Sequence, residues 1–173
     1  MKIGILREEK VPADRRVPLS PLQCKRIEKN FIDIKIYVQS SSIRCFSDQE
    51  YIDQGISVID NLSLCDVLIG IKEVPKNKLI ANKVYLFFSH TIKKQVYNRE
   101  LLKKMIDLNI TMIDYEVLKY KNGSRILGFG RYAGIIGAYN GFLAYGLKFG
   151  IYSLKPANKC LNRREMDSEL SKI

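Results

Sequence analysis

The sequence predicts an α/β fold, a mostly parallel sheet flanked by helices. Two short apolar runs, Val67–Ile71 and Val84–Phe88, lack the polar alternation of a strand with one wet face. Runs of that kind suit strands buried on both sides, the usual state of a parallel sheet. Strand-like and helix-like stretches also alternate along the chain, the pattern of parallel strands joined by helical crossovers. Composition agrees: the 173 residues are 46% hydrophobic and 27% charged, which is ordinary for a globular domain with one good core.

Taken in order, Lys2–Leu6 is the first strand, with Ile3, Ile5 and Leu6 apolar. A charged loop with Pro12 and Pro18 comes next. Ser20 is an N-cap and Pro21 a first helical residue, predicting a helix from Pro21 to about Asn30 with Leu22 and Ile27 inward. Ile34–Val38 is the second strand. Ser47 or Asp48 caps a short helix, Asp48–Gln54, closed by Gly55, and Ser57–Ile59 is a third strand. Leu62–Leu64 is at most a helical turn before the Val67–Ile71 strand. A turn of helix around Lys78–Ala81 leads into Val84–Phe88. Asn98–Leu108 is an amphipathic helix with Leu101, Leu102, Met105 and Leu108 inward.

Thr111–Ile113 is a sixth strand, running into Asp114-Tyr115-Glu116. Asn122-Gly123 is a turn signal, expected to join Leu118–Lys121 to another short strand, Arg125–Phe129. From Ala133 the pattern is helical to Tyr145 or beyond. The remainder, Lys155–Ile173, is polar, with a small helix at Glu165–Ser171 and nothing after it to pack against.

Several function classes lose support. Cys24, Cys45, Cys65 and Cys160 are scattered, and His90 is the only histidine, so no metal-ligand set is predicted and free thiols in a reducing cytoplasm are expected. The opening strand leaves no room for a signal peptide in the first residues. Net charge is +11, but the lysines are dispersed, without a nucleic-acid motif or a basic stripe with aromatics. No nucleic-acid partner is expected, and a positive field would instead favour anionic substrates. The stretch 133–152 is about long enough to span a bilayer. Asn140, Lys148 and its many glycines argue against a span, and no membrane association is expected.

Gly128-Phe129-Gly130-Arg131-Tyr132-Ala133-Gly134 resembles a dinucleotide-binding glycine turn, but its G-x-G-x-x-x-G spacing is one residue too long. No good strand comes after it. The favoured reading is a helix whose small residues, Gly134, Gly137, Ala138, Gly141 and Ala144, allow close packing.

In an open parallel sheet, ligands sit beyond the carboxyl ends of the strands. That rim would hold Lys72, just after Ile71, and His90, just after Phe88. A lysine there can simply mark where a strand meets water, and a lone histidine often has no chemical duty. Ser89 and Thr91 flank His90, and Lys93 lies three residues on, which strengthens the case for a cleft. Cations close to Lys72 would lower its pKa toward neutrality, and a carboxylate such as Glu116 would oppose that. Arg16, in the loop after the first strand, is suited to gripping a carboxylate.

These segments resemble a known family. K-I-G-I-L-R-E-E-K…D-R-R-V-P-L-S-P, I-G-I-K-E-V-P and S-H-T are similar to the N-terminal domain shared by alanine dehydrogenase, the nicotinamide nucleotide transhydrogenase alpha subunit and saccharopine dehydrogenase. F-F-S-H-T-I-K, I-D-Y-E and F-G-R-Y-A-G-I-I-G-A look most like the saccharopine-forming branch, and the likeness runs from Lys2 to about Gly150. The resemblance implies a Rossmann-like or flavodoxin-like catalytic domain over residues 1–132, a long inter-domain linking helix over 133–152, and a polar tail over 153–173. The tail would lead to an NAD(P)-binding domain that is missing here. The chain is therefore expected to be truncated and a poor dinucleotide binder by itself, with no cofactor-binding residues of its own.

By the same resemblance, the activity implied is reduction of the imine of L-lysine and 2-oxoglutarate to saccharopine, and its reverse, with NAD or NADP. Lys72 and His90 would be catalytic. Arg16, Lys93 and Glu116 would bind or tune the substrate, with Arg131 a lesser candidate. An alanine dehydrogenase-like enzyme and a non-catalytic remnant or interaction domain are the alternatives, and a homo-oligomer is left open.

Overall fold

A computed structural model describes all 173 residues, which divide into two compact units, Met1–Leu127 and Gly128–Ile173. The first unit is a six-stranded sheet in the order β3-β2-β1-β4-β5-β6. Its strands are β1 (Lys2–Ile5), β2 (Lys35–Gln39), β3 (Ser57–Ile59), β4 (Val67–Ile69), β5 (Val84–Phe87) and β6 (Thr111–Asp114), and every pairing is parallel. Sheet and flanking helices are as the apolar runs predict, and no strand is antiparallel. The strand Arg125–Phe129 does not form. Asn122-Gly123 does turn the chain, but only one antiparallel bridge, Lys119 to Arg125, closes it. A lone bridge has no sheet beside it to extend the pairing.

Three helices cover the sheet: α1 (Pro21–Asn30), α2 (Asp48–Ile52) and α3 (Val96–Asp107). Ser20 and Ser47 both cap through reciprocal boxes, with Gln23 and Glu50 respectively. Ile3, Ile5, Ile36 and Val38 pack with Cys24 of α1 and Tyr51 of α2 on one face. Leu68, Tyr85 and Phe87 pack with Leu101 and Met105 of α3 on the other. Alternate strand residues therefore feed two opposite cores, which is why the runs read as continuously apolar. Gly4 permits the second core: a Cβ there would stand 2.8 Å from Leu68 Cδ2 and 3.1 Å from Cys65 Sγ.

Three inward assignments change. Leu22 is 68% exposed and Cys24 takes the buried place. Leu22 and Ile27 lie five residues apart, about 140° around a helix, so they cannot share one face. On α3, Asn98, Leu101 and Met105 are buried, while Leu102 turns outward and Leu108 is half-buried at the C-cap. The turn near Lys78–Ala81 lies earlier, as a 3-10 turn over Lys76–Lys78 directly after Pro75.

The second unit contains α4 (Gly130–Phe149) and α5 (Arg163–Leu170). Gly150, at φ +65°, ends α4 in the left-handed region that favours glycine. The polar segment is not a loose tail. Leu154 and Met166 pack on Tyr139 of α4, and the Tyr139 hydroxyl donates to the Lys155 carbonyl at 2.6 Å. Lys155 pairs with Glu165, and Asn162 caps α5. The partner of α5 thus precedes it in the chain, so the few residues beyond Leu170 hold no sign of it. Within this chain nothing packs against most of the glycine face. A side chain at Gly134, Gly137 or Gly141 would meet open space, and only Gly146 is enclosed, by Tyr152. No helix is long and apolar enough to cross a membrane.

Candidate active site

The sheet order reverses at β1: the chain winds outward to β2 and β3, then returns to place β4 on the other side. At such a switch point the loops after neighbouring strands diverge and leave a crevice at their carboxyl ends. The loops after β1, β4, β5 and β6 carry the first unit's predicted site residues to this rim.

After β5, His90 sits in the left-handed region at φ 56°, and Lys94 does the same at φ 55°. Between them Thr91–Lys93 form one 3-10 turn. Non-glycine residues rarely adopt this conformation unless their surroundings hold them there. Here Asn98 Nδ2 donates to the His90 carbonyl at 3.3 Å. Ser89, fully buried, donates to Asp114 of β6, shares a 2.8 Å hydrogen bond with the Thr91 hydroxyl and accepts the Thr91 N–H at 3.2 Å. Asp114 also accepts the Glu116 N–H at 2.9 Å. A single buried carboxylate therefore ties the histidine loop to the glutamate loop.

The tie places three predicted residues in contact. His90 Nδ1 lies 3.0 Å from Glu116 Oε2, Lys93 Nζ lies 3.2 Å from Glu116 Oε1, and Lys93 Nζ is 3.2 Å from His90 Nδ1. Burial alone would raise the Glu116 carboxyl, but hydrogen bonds and charge from Lys93 and His90 outweigh it and hold the group below its ordinary range. In one tautomer Nδ1–H donates to Glu116 and leaves Nε2 as the proton-accepting atom. In the other Lys93 donates to Nδ1. The outer nitrogen, Nε2, faces Glu73 Oε1 at 4.0 Å.

Lys72 is half-buried after β4, beside Glu73, which itself pairs with Lys10 at 2.8 Å. Its backbone N–H is taken by Glu8. Arg16 grips Asp14, its Nε donating to the carboxylate at 2.9 Å, and Lys72 acts on that carboxylate only through charge. The Arg16 hydrogen bonds outweigh burial, which would raise the Asp14 carboxyl, and hold it below its usual range. Arg16 therefore has an internal carboxylate partner two residues away, where the sequence reading gives it only a substrate. Arg131 belongs to the second unit, exposed on the first turn of α4.

Glu8, Asp14, Glu73, Ser89 and Asp114 were not among the predicted site residues. Asp14 and Glu73 had a signal, an acidic residue within two positions of a predicted cation. Glu8 and Asp114 had none, because their partners lie 63 and 25 residues away.

The glycine turn at Gly128–Gly134 is preceded by no strand, and no strand comes after α4. Those residues lack the strand–turn–helix setting a dinucleotide pyrophosphate requires.

The family model described as alanine dehydrogenase/PNT, N-terminal domain, matches residues 4–136. Mitochondrial alpha-aminoadipic semialdehyde synthase of Mus musculus is 39% identical over 144 residues, covering 83% of this chain and 15% of that protein. Saccharopine dehydrogenase (NAD+, L-lysine-forming) of Yarrowia lipolytica is 30% identical over 139 residues, covering 77% of this chain and 37% of that protein. The chain therefore spans well under half the length of these relatives. Among solved structures, an L-alanine dehydrogenase superposes with a TM-score of 0.66 at 20% identity, covering 86% of this chain and 41% of that one. A transhydrogenase from Sinorhizobium meliloti gives 0.66 at 16% identity, covering 84% and 44%. At these identities the structural likeness speaks for the fold alone.

Proposed function

The chain belongs to the alanine dehydrogenase/PNT N-terminal domain family, whose relatives here are oxidoreductases, and from that premise we propose that it is the substrate-binding and catalytic part of a saccharopine-forming dehydrogenase. The reaction is reversible reduction of the imine between L-lysine and 2-oxoglutarate. NAD(P)H, held by a domain outside these residues, supplies the hydride. The first unit, Met1–Leu127, is the catalytic domain and α4 is the helix linking it to that domain, three residues earlier at each end than the 133–152 the resemblance implies.

The observation that carries the reading is the contact of His90, Lys93 and Glu116 at the rim of a parallel sheet. Imine formation and hydrolysis both need protons moved at nitrogen and oxygen, and a positioned imidazole suits that work near neutral pH. With Nδ1–H held by Glu116, His90 Nε2 receives or returns the proton. The imidazolium so formed is balanced by Glu116 and faced by Glu73. Lys72 serves as the second proton carrier. Arg16 takes a substrate carboxylate, with Asp14 orienting the guanidinium. Lys93 helps keep Glu116 ionised beside His90.

The test joins the chain to the cofactor-binding remainder of a matched saccharopine dehydrogenase and monitors NADH oxidation. Lysine with 2-oxoglutarate should be turned over in preference to pyruvate with ammonia. Lys72→Met and His90→Gln should each lower kcat by roughly 100-fold or more, the scale of general acid–base catalysis. Preference for pyruvate and ammonia, or full rates in both variants, would overturn the reading.

A further inference from the structure

Glu8 lies three residues beyond the end of β1 and is only 7% exposed. Its two carboxylate oxygens are separately engaged by consecutive amides of the segment after β4. The Ile71 N–H donates to Oε1 at 2.6 Å and the Lys72 N–H to Oε2 at 2.9 Å. The last backbone rung between β1 and β4 runs from the Leu6 N–H to the Ile69 carbonyl at 2.9 Å. Beyond it β1 turns away, and the carboxylate takes over where backbone pairing stops. On the other side the Ile71 carbonyl still accepts the Phe88 N–H of the β5 segment at 3.0 Å. Ile71 is thus held from both flanks, and Lys72 begins from that fixed point.

Gly70 gives the carboxylate its room. A Cβ at this position would lie 3.3 Å from Glu8 Oε1 and 3.4 Å from Leu6 Cδ1. The oxygen could not yield without lengthening its short bond to Ile71. Two consecutive N–H groups turned to the same side form a small anion cradle, here filled by the two oxygens of the protein's own side chain.

We propose that Glu8 is a positioning residue, whose carboxylate fixes the backbone from which Lys72 reaches the substrate. The proposal rests on the reading of Lys72 as a proton-transfer residue. Glu8 does not touch the reacting atoms. It narrows the range of positions the Lys72 side chain can start from, which an acid–base group needs if its proton is to be placed well. The surroundings supply opposing influences. Burial, the largest of them, together with Asp14 leaves the Glu8 carboxyl above its ordinary range, although its two amide donors and Arg16 draw it down. A glutamine of equal size would present an NH2 group to one of the two N–H donors and lose that bond.

The experiment uses the full chain with Glu8→Gln, Gly70→Ala, Lys72→Met and the double variant Glu8→Gln/Lys72→Met. Amide hydrogen exchange by NMR is the first readout. Glu8→Gln should speed exchange at Ile71 or Lys72 by at least tenfold while Leu68 and Tyr85 keep their rates. Gly70→Ala should do the same with the carboxylate retained, and it stands in if Glu8→Gln fails to fold. Unchanged exchange at both amides overturns the proposal.

Calorimetric titration with 2-oxoglutarate is the second readout. Glu8→Gln should weaken binding about tenfold when Lys72 is present and leave it nearly unchanged in the Lys72→Met background. Equal losses in both backgrounds overturn the proposal, because Glu8 would then act without Lys72. Failure of the unaltered chain to bind 2-oxoglutarate sinks the substrate reading instead, and the exchange measurement still decides whether Glu8 fixes Lys72.

Discussion

Replacing Ser89 by alanine tests whether the histidine and glutamate loops are held by one buried network. The Ser89 hydroxyl donates to the Asp114 carboxylate, a group only 7% exposed, and accepts the Thr91 N–H. Alanine removes both of these, and also the 2.8 Å bond shared with the Thr91 hydroxyl, for which water at the half-buried Thr91 can substitute, and it adds none. Loss of a hydrogen bond to a charged group costs about 1.5–3 kcal/mol, and loss of the half-buried Thr91 bond about 0.5–1.5 kcal/mol. The sum is about 2–4.5 kcal/mol. For a chain of this size each kcal/mol lowers Tm by about 2–4 °C, so a drop of roughly 4–18 °C is expected. Urea unfolding monitored by NMR on first-unit resonances measures the loss without assuming that both units unfold together. The His90 ring resonances should also change, because Asp114 aligns the Glu116 backbone that faces the imidazole. A loss below about 0.5 kcal/mol, the ordinary scatter of harmless substitutions, would refute the network's role.

Three further outcomes rest on the same structure. Tyr85→Phe should cost about 1–3 kcal/mol in urea unfolding, because the buried Tyr85 hydroxyl accepts the Ile80 N–H at 2.9 Å and a ring alone cannot. Gly4→Ala should cost about 1–3 kcal/mol by crowding Leu68 and Cys65, and a smaller residue at position 68 should recover part of it in a double-mutant cycle. Glu116, held below its ordinary 4.5, contributes stability that is full above that value and is lost as pH falls toward its folded pKa. Glu116→Gln should therefore flatten the acid limb of a curve of urea midpoint against pH, and an unchanged limb would contradict the assignment.

Much of the fold was legible because burial on two faces leaves its mark residue by residue. Val84 to Phe87 alternates between opposite cores, so no polar residue interrupts it. Ser20 and Ser47 announced their helices through chemistry confined to four residues. Leu22 misled because hydrophobicity alone does not say which way a side chain points on a ten-residue helix. In the candidate site, the rim positions of Lys72, His90 and Lys93 were legible because each follows a strand. The site was illegible where a carboxylate is matched to a backbone N–H far away, as at Glu8, since a main-chain donor leaves no letter in the sequence. The second unit was misread for a related reason: Leu154 and Met166 are isolated apolar residues among polar ones, and only contact with Tyr139 makes them a core.

The pairing of Ile3 with Val67 bears on how this molecule is made. During synthesis β1, β2 and β3 can assemble as soon as they emerge, but β1 then has unsatisfied amides and carbonyls along one side until β4 arrives. For that interval the nascent chain carries an open template for another polypeptide. Chains released before Val67 should clump rather than persist as soluble fragments, whereas those released after Phe87 have the gap closed.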